Sequence, residues 1–267
     1  MNDYHLHTSL CKHAEGKLQE YVDSAIEKGI TEICFTDHIP LPDNFDIEHR
    51  MSFEELDSYF TQIDSCRVKN RGITILTGIE ADYIEGYEDY LDDFISQYPF
   101  DMVIMSIHFL KKWKNNQWVF SYEYTDETIK SQYKDYFDAM VKGIKTGLFD
   151  IVGHFDLIKR LQHPVMATNS EDVERVLNAV LKTSMSIELN ASGLRKFIKE
   201  TYPSMDILGL AVDKKIPIVL SSDAHKPADV GYEFDDLFNQ LFNFPTLQLA
   251  SYRNRQATNR FLIPQYE

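Results

Sequence analysis

The sequence predicts an α/β protein built around a parallel sheet, on two observations. Short runs rich in Ile, Val, Leu and Phe alternate with longer segments of helical period, which is typical of repeated strand–helix units. The length of 267 residues also suits an α/β barrel formed as one unit. Both observations favour one large α/β domain.

Seven strands are predicted, and a helix is expected after each. The strands are DYHLHT (3–8), TEICFTDH (31–38), ITILTGIEADY (73–83), DMVIMSIHF (101–109), DIVGHFDLI (150–158), MSIELNAS (185–192) and PIVLSSDAH (217–225). The helices cover residues 17–29, 53–71, 86–97, 125–147, 170–183, 203–215 and 232–242. Gly29 and Gly72 stand where the first two helices should stop, and Asn169 with Ser170 makes an acceptable helix start. Seven strands instead of eight indicate an irregular barrel, although an open doubly wound sheet fits the same periodicity.

No linker, low-complexity tract or repeat beyond this alternation divides the chain, so we expect a single domain over residues 1–267. The formal net charge of −15 argues against a nucleic acid or an anionic membrane as the main partner. No run of eighteen apolar residues and no secretory signal is seen, and the three cysteines form no paired framework. A cytoplasmic protein is therefore expected.

Histidines and acidic residues collect at the C-terminal ends of the predicted strands or just beyond them. His5 and His7 are two positions apart in the first predicted strand, so their side chains should lie on the same face. The full set is His5, His7, His13, Asp37, His38, Glu80, His108, His154, Asp223 and His225. Of the nine histidines, only His49 and His163 fall outside it. This edge is where active sites are assembled in barrels and in open α/β sheets alike.

Imidazole together with carboxylate suits Zn, Mn or Fe, and so many ligands imply two or three ions. Each piece has a structural alternative: a helix cap, a turn, or a buried histidine with its hydrogen bonds satisfied. Glu80 is harder to explain in that way, because an unpaired carboxylate is costly inside an apolar strand. The metal-binding interpretation is therefore preferred.

The order of these motifs along the chain and their local sequences resemble the polymerase and histidinol phosphatase (PHP) family of metal-dependent phosphoesterases. The shared marks are HLHT with a histidine soon after, TDH, GIEADY, SIHF, GHFD and SDAH. The resemblance implies a distorted seven-stranded (β/α)7 barrel, similar to a TIM barrel, with three divalent ions. It assigns His5, His7, Glu80 and Asp223 to one ion, Glu80, His108 and His154 to a second, and His13, His38 and His225 to a third.

Two further stretches, GHFDLIKR and ELNASGLRK followed by ETYPS, are similar to the histidinol-phosphatase branch of that family, as is RMSFEELDSYF. The branch implies hydrolysis of L-histidinol phosphate to L-histidinol and phosphate, with Arg160 and Arg195 binding the phosphate group. Glu80 and Asp223 would serve catalysis as ligands, and Asp37 would orient a ligand or pass a proton. For the two arginines, the alternative is a structural ion pair.

The expected mechanism is in-line attack by a metal-bound hydroxide, because coordination lowers the pKa of water from 15.7 to about 7 in a favourable case. No G-x-S-x-G nucleophile motif competes with this interpretation. Three alternatives stay open: a phosphoesterase of the same family with another small substrate or a nucleotide, a metal-bound scaffold without activity, and a metal-dependent amidohydrolase. The last would typically use a ligand lysine, and no lysine stands convincingly at a strand end.

Overall fold

The computed structural model describes residues 1–111, 117–120, 125, 127–161 and 165–263. The strands in this part of the chain are β1 (Asn2–Leu6), β2 (Glu32–Phe35), β3 (Thr74–Asp82), β4 (Met102–Ser106), β5 (Phe109–Leu110), β6 (Gln117–Trp118), β7 (Ile151–Val152), β8 (Ser186–Asn190), β9 (Ile218–Ser221), β10 (Gln248–Arg253) and β11 (Gln256–Phe261). The α-helices are α1 (Leu18–Glu27), α2 (Leu56–Lys69), α3 (Glu88–Gln97), α4 (Ile129–Thr146), α5 (Val165–Val180), α6 (Ser192–Arg195), α7 (Met205–Asp213) and α8 (Phe234–Leu241). Short 3-10 helices cover Ser9–Cys11, Pro42–Asn44, Ile47–His49, Phe53–Glu55, Leu157–Leu161 and Pro227–Asp229.

Seven strands run parallel in the order β1-β2-β3-β4-β7-β8-β9, one from each predicted strand segment. The residue Ala224, just beyond β9, joins this set back to β1. Its N–H donates to the His5 carbonyl at 3.2 Å, and its carbonyl accepts from the His7 N–H at 3.0 Å. The parallel strands therefore close into a barrel, which confirms the predicted fold class over the open sheet.

A C-terminal hairpin of β10 and β11 was not predicted from the sequence. Strand β10 pairs with β9 only at Leu249 and Ile218, near the start of β9, whereas β1 meets the other end of β9. Tyr252 of β10 donates its hydroxyl to the Asp150 carbonyl at 2.9 Å, just before β7 begins. The hairpin therefore lies at the N-terminal ends of the barrel strands.

Buried side chains form two clusters in the described part of the chain, one on each side of the strands. The larger cluster contains the apolar faces of the helices together with outward-facing strand residues. The smaller cluster collects residues from six barrel strands and β10: Tyr4, Cys34, Leu76, Met102, Ile104, Ile151, Val219, Ala250 and Tyr252. Strand β8 is buried along its whole length, as expected for a parallel strand covered on both faces.

All seven predicted strands extend past the end of the observed strand, and for two of them the structure shows the same physical reason. Strand β4 ends at Ser106 because the backbone N–H of His108 donates to the Asp82 carboxylate at 3.2 Å. Strand β7 stops at Val152 because the N–H of His154 donates to the Glu188 carboxylate at 2.6 Å. In a longer strand, these backbone N–H groups would donate to the neighbouring strand. Here they donate to buried carboxylates instead, so the strand ends.

The fifth predicted helix also starts earlier than expected. Helix α5 begins at Val165, but Asn169 inside it has φ −132° and ψ 31°, which breaks the helical path at the predicted start. The amide of Asn169 donates to the Lys130 carbonyl at 3.0 Å and to Asp172 at 2.8 Å. Within the described residues, no helix combines the length and apolar character needed to cross a membrane.

Candidate functional site

A cavity of about 830 Å³ opens at the C-terminal ends of the barrel strands. The predicted ligands that line it are His13, His38, Glu80, His108, His154, Asp223 and His225. His5 and His7 are fully buried and lie against these side chains, with the ring of His7 centred 4.0 Å from that of His225. All nine predicted metal ligands therefore meet at one place.

The first set, His5, His7, Glu80 and Asp223, brings four ligand atoms to mutual contact distance. The Nε2 atom of His5 lies 3.2 Å from Glu80 Oε2 and 3.9 Å from Asp223 Oδ1. The Nε2 atom of His7 lies 3.5 Å from Glu80 Oε2 and 3.4 Å from Asp223 Oδ1. A tetrahedral ion with bonds of about 2.0–2.2 Å needs ligand atoms roughly 3.3–3.6 Å apart. Three of the four distances are close to this range, and the distance from His5 Nε2 to Asp223 Oδ1 is longer at 3.9 Å.

The second set, Glu80, His108 and His154, uses the other carboxylate oxygen of Glu80. Its Oε1 atom lies 3.0 Å from His154 Nε2 and 3.8 Å from His108 Nε2. The hydroxyl of Ser106 donates to the same oxygen at 2.5 Å. Glu80 therefore faces two groups of imidazoles, one with each oxygen, as expected for a bridging carboxylate.

In the third set, His13, His38 and His225, the three imidazoles do not all face one point. The Nε2 atoms of His13 and His225 lie 2.9 Å apart, and the ring of His38 is centred 5.4 Å from that of His13. However, the Nδ1 atom of His38 lies 2.8 Å from Glu80 Oε2 and so faces the first set. The thiol of Cys11 lies within 4.8 Å of ligand atoms of His13 and His225, but burial raises its pKa and disfavours a thiolate.

Several of these atoms are buried and make no hydrogen bond: His5 Nε2, His7 Nε2 and Glu80 Oε2. Buried polar atoms without partners cost free energy, and atoms that converge on one point are what a cation would satisfy. Burial lowers the pKa of His7 to about 3 and that of His38 to about 4. Both imidazoles are therefore neutral near pH 7, the form that binds a metal.

Glu80 also has the ionised carboxylate that is expected of a metal ligand. Burial alone would raise the pKa of Glu80, but the imidazoles of His38 and His5 outweigh it and hold that pKa well below its usual range. Likewise the pKa of Asp223 is held low against burial, chiefly by His5 and His7. Carboxylates that stay ionised, next to imidazoles, suit divalent cations such as Zn, Mn or Fe.

Glu188 is a site residue that the sequence analysis missed. Its Oε1 atom lies 2.6 Å from His5 Nδ1 and accepts from the Ser221 hydroxyl at 2.5 Å, and its Oε2 atom accepts from the His154 N–H. Such a partner fixes which imidazole nitrogen is left for a metal. The signal was present, because Glu188 is an acidic residue in an apolar strand, as Glu80 is.

Asp82 and Asp37 stand in similar positions behind other ligands. Asp82, also missed, places its Oδ1 atom 2.9 Å from His108 Nδ1. Asp37 is fully buried, accepts from the Thr8 backbone N–H at 2.7 Å and lies 3.8 Å from His7 Nδ1. Burial raises the pKa of Asp37 to about 7. Its location behind His7 favours an orienting role over direct contact with a substrate.

Of the two arginines predicted to bind phosphate, the structure describes the side chain of one. Arg195 lines the cavity, and its NH2 group donates to the carbonyls of Ser222 at 2.8 Å and Asp223 at 2.9 Å. Its Nε atom lies 3.3 Å from Asp229, while its NH1 group is buried with no hydrogen-bond partner. Arg195 is thus fixed in place with a donor unused. The side chain of Arg160, in the 3-10 helix Leu157–Leu161, lies outside the described part of the chain.

The structure also brings His49, which the sequence analysis left out, to the wall of the cavity. Asp46 and Arg50 line the same wall, and the ring of His49 is centred 5.8 Å from that of His13. No spacing rule linked this histidine to the others, because it lies in a loop rather than at a strand end.

Residues 3–192 match the sequence profile of the PHP domain. A Deinococcus radiodurans relative is 35% identical over 244 residues, covering 90% of this chain and 92% of the relative. The histidinol-phosphatase of Bacillus subtilis is 32% identical over 261 residues, covering 87% and 96%. The solved structure of histidinol phosphate phosphatase from Lactococcus lactis, complexed with Zn, L-histidinol and phosphate, superimposes with a TM-score of 0.81 at 22% identity, covering 96% of this chain and 98% of that one.

Proposed function

Because this chain belongs to the PHP domain family, we propose that it is a phosphatase that hydrolyses L-histidinol phosphate to L-histidinol and phosphate. The observation that carries the proposal is the first set of ligands. Three of its imidazole-to-carboxylate distances, 3.2–3.5 Å, are close to those around a tetrahedral ion, and three of its ligand atoms are buried without a hydrogen bond. The name of the Bacillus subtilis relative and the ligands of the Lactococcus lactis structure support this choice of substrate.

We further propose three divalent ions, drawn from Zn, Mn and Fe, held by the three sets of side chains. Glu80 would bridge the first two sets with its two oxygens. In the third set, His38 would have to turn its ring away from Glu80, or share the ion of the first set. We also propose that residues 1–267 act as one domain, and that the substrate is a small molecule, since the net charge of −15 does not favour a nucleic acid.

When bound, such ions supply a water of lowered pKa and positive charge for the phosphoryl oxygens. The residues of the chain do the rest. Arg195 offers its unused NH1 donor to the phosphate, in a guanidinium already fixed by two carbonyls. Arg160 is expected to act beside it. Glu188 holds the ring of His5, so that Nε2 of His5 is left for the ion. Asp37 stands behind His7, with its Oδ1 atom 3.8 Å from His7 Nδ1.

The test is phosphate release by the purified protein, measured with elemental analysis of the same sample. L-histidinol phosphate should exceed phenyl phosphate and a nucleoside monophosphate in kcat/KM by about 100-fold or more, since a site built to bind specific N–H groups discriminates by at least this factor. The variant His7→Ala should lose both metal and activity. Equal rates across the panel would refute the substrate, and full activity in a metal-depleted His7→Ala protein would refute the site.

A further inference from the structure

A short loop holds a further histidine–carboxylate pair, His49 and Asp46, against the cavity. The 3-10 helix Ile47–His49 follows Asp46, whose Oδ1 atom lies 2.7 Å from His49 Nδ1. The other carboxylate oxygen of Asp46 accepts from the NH2 group of Arg50 at 2.8 Å. Asp46 is thus held from both sides, by the imidazole and by the guanidinium.

Arg50 anchors this loop in the body of the protein. It is only 2% exposed, and it donates to the Ile39 carbonyl at 2.9 Å and to Asp82 at 3.1 Å. Because its partners come from the barrel, the loop cannot move without breaking a buried charged network. His49 is therefore presented to the cavity in one orientation.

That orientation determines what His49 offers. In the tautomer that donates Nδ1–H to Asp46, the ring presents the lone pair of Nε2 as an acceptor. Among the described residues, Nε2 of His49 makes no hydrogen bond, and the side chain is 38% exposed. The cavity wall therefore carries an acceptor ready for an N–H group.

Aromatic rings continue this wall toward the ligands. The ring of His49 is centred 5.1 Å from that of Trp118, and Trp118 is centred 4.9 Å from Phe120. Phe120 in turn lies 5.8 Å from the ring of His108. A flat side chain of a substrate could pack against this surface while its phosphate reaches the ions.

We infer that His49, oriented by Asp46 and backed by Trp118, binds the nitrogen-bearing half of the substrate through an N–H···Nε2 hydrogen bond. This inference rests on the proposed function. Arg195 and Lys196 supply positive charge to the cavity, whereas on the His49 wall the charge of Asp46 is matched by Arg50. A substrate with a phosphate at one end and a flat ring that carries an N–H group at the other fits this arrangement.

The test compares two substrates in two variants. His49→Phe keeps a ring beside Trp118 but removes the acceptor, and His49→Gln keeps an acceptor near the position of Nε2. For L-histidinol phosphate, His49→Phe should lower kcat/KM by about 10- to 100-fold, mostly through KM, which is the size of one lost hydrogen bond to a charged group. For phenyl phosphate, which has no N–H group, the change should stay within about threefold. His49→Gln should recover most of the loss.

Two further measurements separate this role from a structural one. By calorimetry, the dissociation constant of L-histidinol should rise by a similar factor in His49→Phe, and the metal content should equal that of the wild type. If both substrates lose equally, or if neither changes, the assignment of His49 is wrong while the proposed function stands. If the wild type itself fails to prefer L-histidinol phosphate over phenyl phosphate, both proposals fall.

Discussion

The Nδ1 atom of His5 lies 2.6 Å from Oε1 of Glu188, although 183 positions separate the two residues along the chain. Both side chains are fully buried. The second oxygen of Glu188 accepts from the backbone N–H of His154, a ligand of the second set. One carboxylate from β8 therefore positions a ligand in each of two neighbouring sets.

Replacement of Glu188 by Gln should weaken metal binding without unfolding the protein. An amide keeps the shape but not the charge that faces His5, and loss of such a partner typically costs about 10- to 100-fold in metal affinity or activity. Chelator competition measures the affinity. Glu85→Gln is the matched control, since Glu85 pairs with Lys142 at the surface, where both side chains are about half exposed. Equal affinities in the two variants would contradict the role of Glu188.

Removal of the metal should abolish activity and lower stability, yet leave the fold intact. Without metal, only a few ligand atoms are left unpaired, whereas the apolar core of the barrel is large and unchanged. The secondary structure should therefore persist. A ligand at 1,000 times its Kd stabilises by about 4 kcal/mol, which corresponds to a drop in Tm on the order of 8–16 °C when it is removed. Circular dichroism and phosphate release, before and after dialysis against a chelator, measure both. Activity should return with Zn or Mn; unchanged turnover in the stripped protein would argue against a metal site.

Arg195→Lys should weaken phosphate binding while metal content stays constant. A lysine cannot reproduce both the fixed contacts of NH2 and the unused NH1 donor of the guanidinium. We expect KM to rise by about 10-fold and product inhibition by phosphate to weaken by a similar factor, the cost of one charge-assisted hydrogen bond. Arg175→Lys serves as control, because Arg175 pairs with Asp138 and Asp172 and does not line the cavity. A wild-type KM in Arg195→Lys would exclude Arg195 from the phosphate site.

Gly193→Ala should destabilise the protein through a clash with the backbone. Gly193 lies in α6, the helix that carries Arg195, and an added Cβ there would lie 2.0 Å from the Glu200 carbonyl oxygen. Forcing an extra methyl into a packed site costs about 1–3 kcal/mol, and activity should fall as Arg195 moves. Urea denaturation measures the free energy of unfolding. Gly72→Ala is the control, since nothing lies within 4 Å of its added Cβ; equal stability of the two variants would show that the loop adjusts freely.

Many of the strands and helices could be predicted from local sequence, because apolar runs and helical periodicity are properties of residues close together along the chain. Each of the seven predicted strand segments contains one strand of the barrel. The hairpin of β10 and β11 was missed, since β11 is exposed along its length and carries no apolar alternation. The ends of β4 and β7 were misplaced because Asp82 and Glu188, distant in sequence, take the backbone donors.

The sequence by itself determined which residue types stand at the strand ends, and hence the nine candidate ligands, because the ends of parallel strands meet at one edge. Only the tertiary structure decided how those side chains group around Glu80 and which carboxylates stand behind them. It also brought His49 to the cavity wall. The reason is physical: distances between side chains on different strands and loops depend on how the barrel closes, and no local pattern along the chain carries that information.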